Sequence, residues 1–415
     1  MTDEARMGVL EGIRVVEVGG GAIAGAGAAC GRIFAELGAD VIFVEQPGGD
    51  PARLRLPLLE QGEDAERSLP FLYEYAGKRG VTARLGTSEG NTLFAELVGH
   101  ADVVIDASGR GHLDELGVGW ATLASAAGNA VWVSVTPYGL DGPHANWIGS
   151  DLTLSAAGGF LFAMGWSGEP PYRWGGELAY TVAGQQAAVG VLVALLAPLN
   201  DGAARLIDVS IAECVAAVCT QMAVGVEYDG SDQGRRPGRG PASPPADGIY
   251  PCADGHVVAG WGPVSARHWP EFIEWMAEDG LATEWVGDER WFELAFRMEH
   301  HDEVEQTVRS FFALHTMDEL CDGSIPRGFM LYPLQTVADL AHDPQLRARD
   351  WFQPLVDQGR GLAFDYPGPA YRFTETPARM WRSAPRVGEH NVEVYTDEFG
   401  RSREGLAELA ARGVI

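Results

Sequence analysis

The sequence predicts an α/β protein with a doubly wound, Rossmann-like large domain and a smaller α+β domain. Short runs of β-branched and other apolar residues alternate with helical patterns through residues 1–228. A segment rich in Gly, Pro and Arg at 229–246 then interrupts the alternation, and a region rich in Trp, Phe and Met follows. The chain has 415 residues, which is more than one hydrophobic core usually supports.

The first elements form a βαβ unit, in which a glycine-rich turn at 19–25 and a helical pattern at 28–37 connect two apolar runs. Such a unit implies a right-handed crossover and a parallel sheet, whose ligand is expected at the carboxyl ends of the strands. The runs predicted to be strands of this sheet are 13–18, 39–45, 101–105, 130–135 and 207–210. A long apolar helix is predicted next, at 211–226.

Composition also predicts how the chain is divided. The predicted parts are the first part of the large α/β domain (1–228), a linker (229–246), the small α+β domain (247–330), and a return linker with the C-terminal part of the large domain (331–415). The small domain should open with a hairpin at 247–261. Beyond it we expect a helix at 334–350, strands at 361–364 and 371–373, and a helical tail from Glu404.

Charge and composition exclude several classes of partner. A formal net charge of -28 disfavours nucleic acid and anionic membranes, because both require a basic face. The N-terminus lacks the pattern of a signal peptide, and apolar runs such as 187–196 are shorter than the roughly 20 residues of a membrane span. Five scattered cysteines and no clustered ligands predict reduced thiols and no metal site. We therefore expect a soluble, cytoplasmic protein.

The stretch 174–194 is the best candidate for chemistry. Its glycines at 175, 176 and 184 allow the backbone to approach a ligand, and the helix that follows offers unpaired N–H groups. Tyr180 is the unusual residue in this turn. Aromatic residues nearby indicate either an apolar acyl pocket or ordinary core packing, and they are Phe160, Phe162, Trp166 and Trp174.

Several short segments of the chain, taken in order, carry a family resemblance. They are 10–17, 26–32, 37–42, 48–53, 78–79, 138–139, 142–143, 151–152, 208–210, 343–344 and 388–390. Together they resemble the class III CoA-transferases, the family of formyl-CoA transferase, carnitine CoA-transferase and α-methylacyl-CoA racemase, and the resemblance extends over nearly the whole chain. It implies two subunits that interlock into a dimer, and it implies coenzyme A, bound as CoA or acyl-CoA, as the cofactor and substrate.

The resemblance also implies which residues bind CoA. The backbone of Ala24, Gly25, Ala26 and Gly27 matches the segment that follows the CoA molecule. The cations at matching positions are Arg53, Lys78 and Arg79, together with Arg110, which lies one residue after the position where the family usually has arginine. Lys78 is the only lysine in the chain, and it is interpreted either as a phosphate contact or as a surface residue.

The catalytic position departs from the family. In the transferases an aspartate in this turn attacks the acyl-CoA thioester, and its place is taken here by Tyr180. A phenol with a pKa near 10 is a poor nucleophile at neutral pH. The racemases use the same aspartate with a histidine that falls here at Ser150, so racemisation is disfavoured. Asp151 is interpreted as a cap for the helix that begins at Leu152.

Three hypotheses follow for the reaction. The first is an acyl-CoA:carboxylate CoA-transferase in which Glu177 or another group replaces the aspartate. Glu177 is also interpreted as a solvent-facing turn residue or as a partner of Arg173. Alternatively, the chain is a non-catalytic subunit that forms a heterodimer with a sister subunit. The third hypothesis is a CoA-thioester isomerase, racemase or lyase that uses Tyr180 as an acid or hydrogen-bond donor.

Overall fold

A computed structural model describes residues 8–21, 23–59, 65–165, 168–197, 203–230, 244–260, 268–328 and 331–415. Ala22, Trp166 and most of the predicted linker at 229–246 lie outside these ranges. The chain divides into two compact units. Unit 1 comprises 1–164, 172–232 and 347–415, whereas unit 2 comprises 165–171 and 233–346. Unit 2 thus extends beyond residue 330, at which the sequence-based division ended the small domain.

Eleven strands occur in the described part of the chain. They are β1 (Arg14–Val18), β2 (Asp40–Glu45), β3 (Arg79–Thr82), β4 (Val103–Asp106), β5 (Val131–Thr136), β6 (Arg205–Ser210), β7 (Gly248–Pro251), β8 (His256–Ala259), β9 (Leu331–Pro333), β10 (Phe352–Asp357) and β11 (Leu362–Pro367). The first six form one parallel sheet in the order β3-β2-β1-β4-β5-β6. The strand order reverses between β1 and β4, which is where doubly wound sheets bind ligands.

Helices of very different lengths surround the sheets. The α-helices are α1 (Ala24–Glu36), α2 (Leu69–Glu74), α3 (Ser88–Gly99), α4 (His112–Glu115), α5 (Trp120–Leu123), α6 (Asp151–Ala157), α7 (Phe160–Ala163), α8 (Leu178–Leu196), α9 (Ile211–Val218), α10 (Thr220–Asp229), α11 (Trp269–Glu278), α12 (Leu294–Glu299), α13 (His301–Leu314), α14 (Met317–Ser324), α15 (Val337–Leu340), α16 (Pro344–Ala348) and α17 (Arg403–Ala411). Shorter 3-10 turns lie at Pro51–Leu54, Ala65–Arg67, Thr283–Trp285 and Glu289–Phe292, and a π-helix spans Val392–Glu398.

The parallel sheet has a separate hydrophobic core on each face. In β1, Val15 packs with α1, α8 and α9 on one face, whereas Val16 packs with α3 and α17 on the other. Neighbouring side chains along a strand point to opposite faces, so both faces are covered by helices. This arrangement confirms the predicted doubly wound large domain.

Unit 2 is the smaller α+β unit. Its antiparallel sheet has the order β7-β8-β9, and β7 and β8 form the hairpin that the sequence predicts. Trp269, Phe272 and Phe312 are almost completely buried in its core, together with residues of β7 and β8. Aromatic side chains supply much of this core because each one removes a large apolar area from water.

Three predicted elements were wrong in detail. The single helix expected at 211–226 is divided into α9 and α10 at Cys219. The helix expected at 334–350 consists of α15 and α16, which are separated by a turn. No strand forms at 371–373. Strand β10 was not predicted, because Pro354 lies within it and a proline, which cannot donate a hydrogen bond to a neighbouring strand, interrupts the sequence pattern of a strand.

One face of helix α8 packs closely against α1 in unit 1. With 19 residues and a mean hydropathy of 1.5, it has the length and composition of a membrane span. Ala183, Gly184, Ala187 and Val191 nevertheless pack in the core beside α1 and β5. The small residues of α8 are therefore explained by helix-to-helix packing within the unit.

Gly184 sets the distance between α8 and α1. A Cβ atom on Gly184 would lie 2.6 Å from the Cβ atom of Ala29 and 2.7 Å from the backbone oxygen of Ala26. Backbone atoms cannot rotate away as a flexible side chain would. Gly190 lies on the same helix, but a Cβ atom there would meet only Ile207, at 3.7 Å, which is ordinary van der Waals contact.

We predict that Gly184→Ala destabilises the protein by about 1–3 kcal/mol through overpacking. Gly190→Ala is the matched control, and it should be neutral or stabilising by up to about 1 kcal/mol because alanine favours the helix. Urea unfolding of the full chain, followed by circular dichroism, measures both changes. Equal midpoints for the two variants would contradict the close packing of α1 and α8.

Candidate active site

Four residues of unit 1 meet at the first turn of α1, and we refer to Gly25, Arg55, Glu177 and Tyr180 as the Gly25 site. A Cβ atom on Gly25 would lie 3.1 Å from Tyr180 Cδ2, 3.2 Å from Glu177 Oε2 and 3.5 Å from Arg55 Nη1. The absence of a side chain at Gly25 therefore allows a phenol ring, a carboxylate and a guanidinium to converge there. The site adjoins the turn that follows β1, near the reversal of strand order.

Tyr180 is part of the core and is only 5% exposed. Its Oη atom accepts a hydrogen bond from the backbone N–H of Asp151, with a distance of 2.9 Å between the heavy atoms. Burial raises the pKa of the Tyr180 hydroxyl to about 12. The hydroxyl thus remains protonated at neutral pH and is an even weaker nucleophile than an exposed phenol.

Asp151 has a different role from the one that the sequence predicts. Ser150, and not Asp151, caps α6, through a capping box with Thr153. The Asp151 carboxylate instead accepts a hydrogen bond from the Ala179 N–H at 2.8 Å, so it caps the N-terminus of α8. Asp151 therefore fixes the start of α8 and, through its backbone, the Tyr180 hydroxyl.

Glu177 is the carboxylate of the Gly25 site that solvent can reach. Its side chain is 35% exposed and forms an ion pair with Nη2 of Arg55, whereas the sequence analysis considered Arg173 as its partner. Arg55 also binds both carboxylate oxygens of Glu74. Burial raises the pKa of Glu177, and the charge of Arg55 opposes that rise. The site therefore contains one accessible carboxylate held in place by a shared arginine.

The backbone segment predicted to follow CoA is the first turn of α1. Ala24, Gly25, Ala26 and Gly27 are all buried, and a Cβ atom on Gly27 would lie 2.5 Å from the Cβ atom of Ala107. No side chain caps α1, and its first turn contains no acidic residue. The Ala26 N–H donates to the Ile23 carbonyl at 2.9 Å, which leaves the N–H groups of Ala24 and Gly25 as the candidates for an acceptor from outside the chain.

Lys78 does not lie where a phosphate could reach it. It is completely buried, and its Nζ atom donates to both carboxylate oxygens of Glu17, at 2.8 and 2.7 Å, and to the Ala28 carbonyl at 3.0 Å. All three ammonium protons thus have acceptors within the protein. The structure contradicts both predictions for Lys78, the phosphate contact and the exposed surface residue.

Arg53 is also an internal residue. It is 1% exposed, and its guanidinium binds the Glu45 carboxylate at 2.8 and 2.6 Å and the Pro385 carbonyl at 3.0 Å. A third partner, Glu66, lies 3.3 Å from Nη1. These contacts leave no donor for a phosphate, so the prediction that Arg53 binds CoA is wrong for this arrangement.

Arg79 lies at the edge of the parallel sheet opposite to the edge that carries the Gly25 site. As the first residue of β3 it is at the amino end of a parallel strand, whereas the Gly25 site is at the carboxyl ends. Its guanidinium binds Asp40, Glu393 and Glu398. The structure therefore assigns Arg79 to an ion-pair network at that edge, and not to CoA.

Arg110 is the predicted cation that does lie at the carboxyl edge. It follows β4 and is exposed, and its guanidinium donates to the Leu140 carbonyl at 2.8 Å and to Asn146 Oδ1 at 2.6 Å. Both partners are neutral, so the positive charge of Arg110 is not cancelled by these contacts. Its role in binding CoA stays a prediction.

Sequence reasoning missed Arg55. The only available signal was its position two residues after Arg53, in the loop that leaves the carboxyl end of β2. A metal is not indicated by the side chains, because no group of three or more His, Cys, Asp or Glu residues in the described ranges could hold one. The absence of a metal nevertheless stays a prediction.

Fold and site together define an α/β protein with a carboxylate beside a helix N-terminus at the switch point of a parallel sheet. The model of CoA-transferase family III matches residues 10–391. The chain therefore belongs to CoA-transferase family III, as the sequence analysis indicated.

Individual relatives support this assignment. The succinyl-CoA:(R)-benzylsuccinate CoA-transferase subunit BbsE of Thauera aromatica is 35% identical over 374 residues, covering 88% of this chain and 89% of the relative. The succinyl-CoA–D-citramalate CoA-transferase of Chloroflexus aurantiacus is 30% identical over 412 residues, covering 98% of both chains. A CAIB/BAIF family protein from Brucella suis superimposes with a TM-score of 0.80 at 26% identity, covering 94% of this chain and 99% of that one.

The buried ion pair between Lys78 and Glu17 yields a prediction for stability. Lys78→Met leaves the Glu17 carboxylate buried without its counter-charge and should cost about 3–5 kcal/mol. The double variant Glu17→Leu/Lys78→Met should recover most of that loss, because both charges are then removed. The midpoint of urea unfolding of the full chain measures both effects.

The control for this prediction is the exposed ion pair between Arg412 and Glu89. Arg412→Gln should change the free energy of unfolding by no more than about 0.5 kcal/mol. A Lys78→Met variant as stable as Arg412→Gln would show that Lys78 is not buried with Glu17.

Proposed function

We propose that this chain takes part in the transfer of CoA between an acyl-CoA and a carboxylic acid, with a dicarboxylic acyl group such as succinyl as the donor. The observation that carries the proposal is the partly exposed Glu177 carboxylate at the first turn of α1. The relatives from Thauera aromatica and Chloroflexus aurantiacus carry names of succinyl-CoA-dependent transferases, which supports the donor class.

Glu177 is the proposed nucleophile. Its carboxylate attacks the thioester carbonyl, the C–S bond breaks, and the products are a mixed anhydride and the CoA thiolate. The thiolate attacks the glutamyl carbonyl, which releases the donor acid and forms a glutamyl-CoA thioester. The acceptor carboxylate attacks this thioester and again releases the CoA thiolate. The thiolate then attacks the acceptor carbonyl of the second anhydride, which yields the new acyl-CoA and regenerates Glu177.

The surrounding residues support this chemistry by holding Glu177 at the end of α1. Arg55 orients the carboxylate through an ion pair, and it is itself fixed by Glu74. The uncapped N–H groups of α1 suit an oxyanion or phosphate oxygen of the CoA thioester. Arg110 is proposed as the cation that meets a phosphate, since it remains exposed at the carboxyl edge.

A second candidate function is that of a companion subunit without its own nucleophile. Tyr180 favours this candidate, because it occupies the position proposed for the family's aspartate and is tied to the Asp151 backbone. The relative from Thauera aromatica is named as a subunit. Helix α8 also exposes Val189, Val193 and Leu196, which together offer an apolar face for a homodimer or a heterodimer.

The third candidate is a CoA-thioester isomerase, racemase or lyase that uses Tyr180. The Tyr180 hydroxyl accepts a hydrogen bond from the Asp151 N–H, and its own proton is free to donate a hydrogen bond to a thioester carbonyl. At 5% exposure, however, the side chain is largely withdrawn from solvent. Glu177 is both more accessible and chemically better suited, which places the transferase first.

The transferase proposal is tested by trapping the glutamyl thioester. We expect the purified chain, incubated with succinyl-CoA and then hydroxylamine, to carry a hydroxamate at residue 177, because hydroxylamine attacks acyl-enzyme thioesters and anhydrides. Peptide mass spectrometry locates the adduct. Glu177→Gln should lose the adduct and lower kcat by at least about 1000-fold, which is the effect expected from removing a nucleophile.

Two variants serve as controls. Glu404→Gln, at an exposed carboxylate on α17, should keep the adduct, and so should Tyr180→Phe. Tight CoA binding without any adduct would instead support the companion subunit. Loss of turnover in Tyr180→Phe but not in Glu177→Gln would support the isomerase, racemase or lyase.

A further inference from the structure

Arg173 precedes Glu177 of the Gly25 site by four residues, in the segment that leads into α8. It is exposed, and no hydrogen bond or ion pair links it to another described residue. Its charge nevertheless acts on two carboxylates. Burial raises the pKa values of Asp151 and Glu177, and Arg173 is among the groups that oppose both shifts. Arg173 therefore lies in the segment that leads into α8, four residues before the proposed nucleophile, and shares none of its donors with another described residue.

The residues on either side of Arg173 are exposed aromatic residues. Tyr172 is 48% exposed and Trp174 is 51% exposed. Trp174 packs edge-on against Phe160, with 6.4 Å between the ring centroids and 69° between the planes. One side of the Trp174 ring is thus held in place while about half of the side chain stays open to a ligand.

The charges at the site indicate that a substrate with a second carboxylate needs a cation other than Arg55. Arg55 is already shared by Glu74 and Glu177, so its positive charge is compensated within the protein. A dicarboxylic acid that reacts through one carboxylate still carries the other as an anion. Bringing that anion close to Glu177 and Asp151 is unfavourable unless a cation meets it. A guanidinium with free donors binds a carboxylate through two parallel hydrogen bonds.

We propose that Arg173 binds the non-reacting carboxylate of a dicarboxylic acid substrate, and that Tyr172 and Trp174 contact an apolar, preferably aromatic, substituent on that acid. The inference rests on the proposed CoA transfer and adds to it the residues that select the acid. It makes Arg173 a specificity residue that does not take part in the bond-making steps.

Equilibrium binding to the full chain saturated with CoA tests this inference without requiring turnover. Isothermal titration calorimetry compares benzylsuccinate with 4-phenylbutanoate, which has the same aromatic skeleton but only one carboxylate. Arg173→Gln should weaken benzylsuccinate binding at least about tenfold and leave 4-phenylbutanoate binding unchanged, because only the second carboxylate loses its partner. Arg173→Lys should give an intermediate Kd, since it keeps the charge and loses the fork geometry.

Matched variants separate the two parts of the inference. Trp174→Ala should weaken the binding of benzylsuccinate but not that of succinate. Arg403→Gln, at an exposed arginine on α17, should change neither. Benzylsuccinate binding by Arg173→Gln that equals that of the unmodified chain would overturn the role of Arg173. Failure of the unmodified chain to bind CoA in a separate titration would overturn the proposed function instead.

Discussion

The close approach of α1 and α8 determines the candidate site. Gly184 removes the side chain that would otherwise separate the two helices, and Ala26 and Ala29 present only small groups to it. At the end of the same interface, Gly25 leaves space into which Glu177 and Tyr180 extend. The small residues at the interface between α1 and α8 thus allow close packing of the core, and they also leave space for reactive groups at the N-terminus of α1.

Much of the large domain could be predicted from the sequence, because buried parallel strands are nearly continuous apolar runs. The runs at 13–18, 39–45 and 130–135 correspond to β1, β2 and β5, with ends that differ by a residue. The C-terminal part of the large domain was harder to predict in detail. In β10 a proline interrupts the pattern, and the strand is recognised only through its pairing with β11.

The candidate site could be predicted only in part. Glycine spacing and the family resemblance directed attention to Glu177 and Tyr180, both of which lie in the Gly25 site. Sequence could not reveal the ion pairs that decide which cations are available. Lys78 and Glu17 are 61 residues apart, and Arg55 and Glu177 are 122 apart, so no local pattern connects them. A lysine or arginine that is suited to bind phosphate can therefore have all of its donors occupied by groups within the protein.

A structure of the full chain with bound CoA tests the central claim most directly, namely that the thioester meets Glu177 at the first turn of α1. We expect the CoA sulfur within about 4 Å of the Glu177 carboxylate, in the van der Waals range from which nucleophilic attack proceeds. The phosphates should then lie near Arg110, and the Lys78–Glu17 ion pair should stay intact. A sulfur remote from Glu177, or phosphates bound at the amino edge beside Arg79, would contradict the account.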